Sequence, residues 1–107
     1  MRYKKLTPEG IITQQIRALL HHVGVFHWKQ WQGPMSSIKG IFDIIGIYQS
    51  KPLAIEVKIP GKKLSPDQEE FLRKWIAAGG IGFMATSAEE VAEKLGIKNI
   101  IFGKRPC

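Results

Sequence analysis

The chain has 107 residues, 44% of them apolar, a formal net charge of +7 and a single cysteine at its last position. That length makes one domain with a modest core, and the apolar content with its many glycines suits a mixed α/β protein. No apolar run reaches the ~18 residues of a membrane span, the basic start is not followed by a signal-peptide core, and one cysteine excludes a disulfide framework or a thiolate metal site. A cytoplasmic protein is the resulting expectation, one domain over 1–107 with a basic leader at 1–6 and a basic tail at 103–107. Charge is unevenly placed. Residues 1–63 carry ten Lys/Arg against three acids, Glu9, Asp43 and Glu56, while residues 64–107 carry six of each sign. The excess positive charge therefore shares a half of the chain with three isolated acids, and a polyanion is its natural partner.

In chain order, Thr7-Pro8 reads as the N-cap and first residue of a helix running to about Val23, where Gly24 stops it. Ile12, Ile16, Leu19, Leu20 and Val23 form its apolar stripe. Glu9 begins that stripe and is directed either to solvent or inward, and Gly10 beside it leaves room for a close approach. Val25 to Trp31 reads as a strand, followed by the loop QGPMSSIKG. Trp28 and Trp31 are expected as core and edge residues, with base stacking as the other use of an exposed tryptophan. His21, His22 and His27 make a poor metal site, since the first two are adjacent on a helix and cannot share a face.

The stretch Lys39 to Lys63 comes next, with two apolar strands and a turn at Gln49-Ser50. Leu53, Ile55, Val57 and Ile59 alternate with Ala54, Glu56 and Lys58, the period of a half-buried strand, so Glu56 and Lys58 share a face. If the strands pair across Gln49-Ser50, positions summing to 99 lie opposite one another and Asp43 faces Glu56. Two carboxylates side by side raise each other's pKa and cost stability, and a divalent cation with a lysine beside it would balance them. Pro60-Gly61 ends the strand. Ser65-Pro66-Asp67-Gln68 is a helix start with a capping box, leading to a helix that Gly79-Gly80 closes and that packs through Phe71, Leu72, Trp75 and Ile76. Ile81 to Ala85 reads as a strand, Ser87 to Glu90 as a second capping box opening a helix to Leu95, and 99–102 as a last strand. The expected order is α-β-β-β-α-β-α-β, a central mixed sheet flanked by helices.

Two acids and a lysine in a basic cleft suit phosphodiester hydrolysis. Asp43 and Glu56 offer hard oxygen ligands to Mg²⁺ or Mn²⁺, with waters and the Val57 backbone carbonyl completing the shell. Lys58 would orient the attacking water or support charge on the phosphate, and nearby carboxylates make it a poor general base. Glu9 would complete a second metal position directly or through water, and Gln68 would hold the attacking water or a phosphate oxygen. Lys39, Lys62 and Lys63 flank the site as phosphate contacts, with Lys29 and Gly40 beside them.

The pattern Gly40-Ile-Phe-Asp43, then Glu56-Val57-Lys58, then Gly61-Lys-Lys-Leu-Ser65-Pro66-Asp67-Gln68 resembles the VRR-NUC family of the PD-(D/E)XK nuclease superfamily. The helix with Glu9, Ile12, Ile16 and Leu20 is similar to the family's first helix, whose glutamate contributes to the metal site, and the resemblance extends over residues 7 to about 95. Phe42 stands where the family usually has proline, a residue that shapes the strand entry and is not a ligand. The resemblance implies a PD-(D/E)XK, restriction-endonuclease-like core and a Mg²⁺/Mn²⁺-dependent endonuclease. It further implies a standalone protein of a bacterial cell or phage-infected host, similar to Holliday-junction resolvases that act on four-way DNA junctions as homodimers. Alternatives remain open: a nickase, a flap or fork nuclease, a general DNA/RNA endonuclease, or a non-catalytic nucleic-acid-binding module.

Overall fold

The computed structural model describes residues 6–35 and 38–98, so the expected strand at 99–102, the basic leader through residue 5 and the basic tail lie outside the described residues. The elements are α1 (Pro8–His22), β1 (Phe26–Lys29), β2 (Ile44–Tyr48), β3 (Lys51–Val57), α2 (Pro66–Ala77), β4 (Ile81–Ala85) and α3 (Ala88–Leu95). Local chemistry sets their ends. The Thr7 hydroxyl accepts from the Gly10 amide at 3.0 Å and Pro8 takes the first helical turn, where no amide proton is needed. Gly24, at φ 78°, turns the chain out of α1. At α2, Ser65 and Gln68 form both halves of a capping box. At α3 only one half forms. Ser87 accepts from the Glu90 amide, but the Glu90 carboxylate reaches past it to the amide and hydroxyl of Thr86, at 2.7 and 3.0 Å.

The four strands form one sheet in the order β1-β2-β3-β4, antiparallel through β3 and parallel between β3 and β4. The β2–β3 register pairs Ile44 with Ile55 and Tyr48 with Lys51, the expected pairing, around Gln49 (φ 51°) and Ser50 (φ 69°). Two left-handed residues in a two-residue loop match the right-handed twist of the flanking strands, and since neither is glycine, each costs about 1 kcal/mol.

One sheet face packs Ile44, Leu53, Ile55, Val57 and Ala85 against Ile16, Leu19 and Leu20 of α1 and Val91 and Ala92 of α3. The other packs Phe42, Ile45 and Ala54 against Phe71 of α2, whose ring lies 5.0 Å from Phe42 and 5.3 Å from Trp75. With helices on both sides, β3 is buried on both faces from Leu53 to Val57, where alternation alone suggested a half-buried strand. Four further expectations are corrected. β3 ends at Val57 and leaves Ile59 outside it, and β1 is only four residues long. Ile76 is exposed, because α2 seats on the sheet through Phe71, Leu72 and Trp75. Trp28, expected in the core, is exposed, since β1 is an edge strand that α2 does not reach; Trp31, expected at the edge, lies exposed past the end of β1.

Candidate active site

Asp43 stands one residue before β2 and Glu56 one residue before the end of β3, so the hairpin register sets them opposite each other. Both are buried, at 6% and 4% exposure. Their side chains close the end of the ladder reciprocally. Asp43 Oδ2 accepts from the Val57 amide at 2.8 Å, and Glu56 Oε1 accepts from the Asp43 amide at 3.2 Å. The second Glu56 oxygen accepts from Gln68 Nε2 at 2.9 Å and lies 3.6 Å from Lys58 Nζ. Lys58 is held at the next step of the chain by its own amide, which donates to the Ala85 carbonyl at 3.1 Å. The structure therefore brings Asp43, Glu56, Lys58 and Gln68 together.

Burial disfavours a charge on Glu56, and the neighbouring Asp43 carboxylate disfavours it further. Lys58 offsets only part of this, and the Glu56 carboxyl is pushed up to about 8 from an ordinary 4.5. At neutral pH and without a cation, the pair accommodates its repulsion by keeping a proton on Glu56.

Gln68 has two partners. Its Oε1 accepts from the Ser65 amide at 2.9 Å, completing the α2 cap, while its Nε2 holds Glu56. The first turn of α2 is thereby tied to the carboxylates. Gly40 fixes the same turn from outside. At φ 74°, its α-carbon sits so close to α2 that an added Cβ would lie 2.2 Å from the Asp67 carbonyl oxygen. The need for glycine here is met by backbone packing.

Of the remaining expected residues, Glu9, Lys62, Lys63, Lys39 and Gly40 line two depressions. One, of about 270 Å³, is lined by Thr7, Glu9, Lys58, Lys62 and Lys63. The other, of about 470 Å³, includes Lys39, Gly40, Asp67 and Gln68. Glu9 is exposed on the first wall. Lys29 ends β1, exposed, directly before Gln30, whose amide donates to the Asp43 carbonyl at 2.7 Å. Sequence reasoning passed over Gln32, whose Nε2 donates to the Ile41 carbonyl at 2.6 Å and so anchors the approach to Asp43. A glutamine between two loop residues carries no periodic signal that would have marked it.

Among the described residues no three His, Cys, Asp or Glu side chains converge as a metal site. What the site offers is two adjoining carboxylates. Each oxygen that already accepts one hydrogen bond keeps a further lone pair, and Mg²⁺ needs only one or two carboxylates, with waters and substrate oxygens for the rest. The donor set fits a hard divalent cation of that kind.

A solved structure described as "VRR_NUC domain" superposes with a TM-score of 0.70 at 21% identity, over 84% of this chain and 96% of that one. The likeness fixes the fold. It is α/β, a central mixed sheet flanked by helices in a PD-(D/E)XK-like arrangement. No family model matches the chain, and no curated protein does. No helix among the described residues is long and apolar enough to cross a membrane.

Proposed function

We infer that the protein hydrolyses phosphodiester bonds in DNA with the help of Mg²⁺ or Mn²⁺. The observation that carries this reading is the buried Asp43–Glu56 pair, held face to face with Lys58 and Gln68 at its rim. A structural core gains nothing from two adjoining carboxylates, one of which must keep a proton. The setting is a PD-(D/E)XK-like fold whose similar solved structure bears the name of a nuclease domain.

In this reading Asp43, Glu56 and the Val57 carbonyl would hold the cation, with Glu9 contributing directly or through water. When bound, the cation would lower the pKa of a water and neutralise charge on the phosphate. Lys58 adds fixed positive charge 3.6 Å from Glu56, on the side of the depression that it shares with Lys62 and Lys63. Those two lysines, and Lys39 on the other depression, hold phosphates flanking the scissile one.

The finer reading is a homodimer cutting four-way junctions in a bacterial or phage-infected cytoplasm. Two copies related by a twofold axis offer two sites to a substrate with two equivalent strands. Trp28, Trp31 and Met35, at 41%, 59% and 85% exposure, supply apolar surface for the contact. The test is a cleavage panel of four-way junctions, flaps, forks, linear duplex and RNA, with Mg²⁺ and with EDTA, run beside Asp43→Asn. Cleavage should need Mg²⁺, favour the junction and vanish in Asp43→Asn, whose DNA binding is kept or improved by the removed negative charge. Mg²⁺-dependent cleavage by Asp43→Asn would end the case for this site. Preference for another substrate, or sedimentation at 12.1 kDa alone, would remove the junction reading and leave the chemistry.

A further inference from the structure

The carboxylate site leaves one built feature of the molecule without a role. Between α1 and the start of β1 lies an open groove of about 710 Å³, lined by Gln14, Arg17 and His21 from α1 and by Phe26 and His27 from the edge strand. Among the described residues no carboxylate lines it. Elsewhere the cations of exposed helices are neutralised locally, as Arg73 and Lys74 are by Glu70 on α2. Among the described residues Arg17 has no such partner, and both Arg17 and His21 are exposed. His27 is half-buried, with Nδ1 2.9 Å from the Val25 carbonyl. A carbonyl only accepts, so Nδ1 carries the proton, and Nε2 of the neutral ring is an acceptor that offers a phosphate nothing.

The groove is aligned with the cleavage site. Thr7, Gly10, Gln14, Arg17 and His21 recur every three or four residues and make one stripe along α1. Thr7 lines the depression that holds Lys58, Lys62 and Lys63, and Gln14, Arg17 and His21 line the groove. At 1.5 Å per residue, Arg17 and His21 lie about 15 and 21 Å along the helix from Thr7. That distance is roughly four to six of the 3.4 Å steps of one strand along a duplex axis.

We propose that this stripe is a track for the nucleic-acid backbone, with Arg17 and His21 holding phosphodiesters some four to six nucleotides from the scissile one. The proposal rests on the nuclease reading for its starting point, since the distances are counted from the Lys58 depression. The ligand chemistry is the phosphodiester anion, whether of a duplex arm or of a single strand leaving the site.

The experiment is equilibrium binding by the metal-free protein in EDTA to a 20-base-pair duplex, a 20-nucleotide single strand and a three-base-pair hairpin (about 10 Å of duplex), each from 50 to 200 mM salt. Arg17→Gln combined with His21→Gln should weaken binding of a long ligand several-fold. Each phosphate left without its cation flattens the salt slope by about 0.9, so the affinity ratio to wild type shrinks about 3.5-fold per phosphate over this fourfold salt range. Weaker binding of the duplex, the single strand or both supports the track and identifies which form of nucleic acid occupies it. The hairpin, too short to reach the groove, should bind both proteins alike, and Arg17→Lys should restore the long-ligand slope. Lys74→Gln, which removes one charge from a helix on the other sheet face, should change nothing. Wild-type affinity and slope in the double variant would overturn the proposal, as would equal weakening on the hairpin or in Lys74→Gln. Cleavage of the junction, flap, fork, duplex and RNA panel by wild-type protein in Mg²⁺ is scored separately, so failure of the nuclease reading shows as absent cleavage whatever the binding result.

Discussion

Replacing Glu56 with glutamine should change the pH profile of stability in a way dictated by the carboxyl's surroundings. Glu56 titrates near 4.5 in the unfolded chain and at about 8 in the native one. Between those values the native state holds more protons than the unfolded state, so stability falls as pH rises. The contribution is fully present below about pH 4.5 and lost once pH has passed about 8. At about 1.4 kcal/mol per pH unit, that gap bounds the loss at about 5 kcal/mol. A domain of this size loses about 4–8 °C of Tm per kcal/mol, so even half the bound lowers the midpoint by about 10 °C or more. Thermal melts of metal-free wild type and Glu56→Gln from pH 4.5 to 8.5 isolate the effect, because all other titrating groups are common to both. The wild type should lose ground to the variant steadily across that range. Adding Mg²⁺ at pH 8 should restore the wild type, by about 2.7 kcal/mol at a hundredfold excess over Kd, and leave Glu56→Gln unmoved. Parallel melting profiles for the two proteins would refute the reasoning, since they would mean the native carboxyl titrates as it does in the unfolded chain.

Two further outcomes concern neighbouring residues. Gly40→Ala should destabilise the protein by about 2 kcal/mol or more, because a left-handed non-glycine residue costs about 1 kcal/mol and the new Cβ would lie 2.2 Å from the Asp67 carbonyl oxygen; denaturant unfolding measures it. Neutralising Lys39, Lys62 and Lys63 together should reduce the salt slope of DNA binding by about 0.9 for each phosphate no longer paired, with cleavage at saturating DNA largely kept, and an unchanged slope would show that the backbone passes elsewhere.

The carboxylate pair was legible in the sequence because a strand has a period of two and the turn is two residues long. Those facts place Asp43 opposite Glu56, and the structure has that register. The helix starts were legible because proline and hydroxyl caps act through local backbone chemistry. What was not legible depends on distant packing. Alternation of Leu53, Ile55 and Val57 looked half-buried because nothing local shows that α2 will cover Ala54 and Glu56. The exposure of Trp28 depends on β1 lying at the sheet edge beyond the reach of α2. Helical spacing left Glu9 open between solvent and interior, and the packing of α1 leaves it exposed beside Lys62 and Lys63. Gly40 was expected beside the phosphate contacts; its close packing against the Asp67 carbonyl of α2 is a tertiary contact that no local pattern marks.

Gln68 is where local and distant structure meet, and it separates a capping residue from a positioning one. Its Oε1 is needed by the α2 cap and its Nε2 by Glu56, so truncation would lose both and decide nothing. Gln68→Glu keeps the acceptor for the Ser65 amide and removes the donor, setting a third carboxylate against Glu56 Oε2 where an amide stood at 2.9 Å. If Gln68 acts only as a cap, the variant should melt and cleave like the wild type, since glutamate serves a capping box as well as glutamine does. If it positions Glu56, cleavage should fall about 10- to 100-fold, the usual cost of altering a group that orients a metal ligand. The loss should persist at saturating DNA, because Gln68 would be acting on the site and not on substrate affinity. Raising the pH should recover little of it, since the missing donor is not restored by ionising the acids. Full activity with an intact cap would assign Gln68 to the helix alone and leave Lys58 as the one side chain that steadies Glu56 among the described residues.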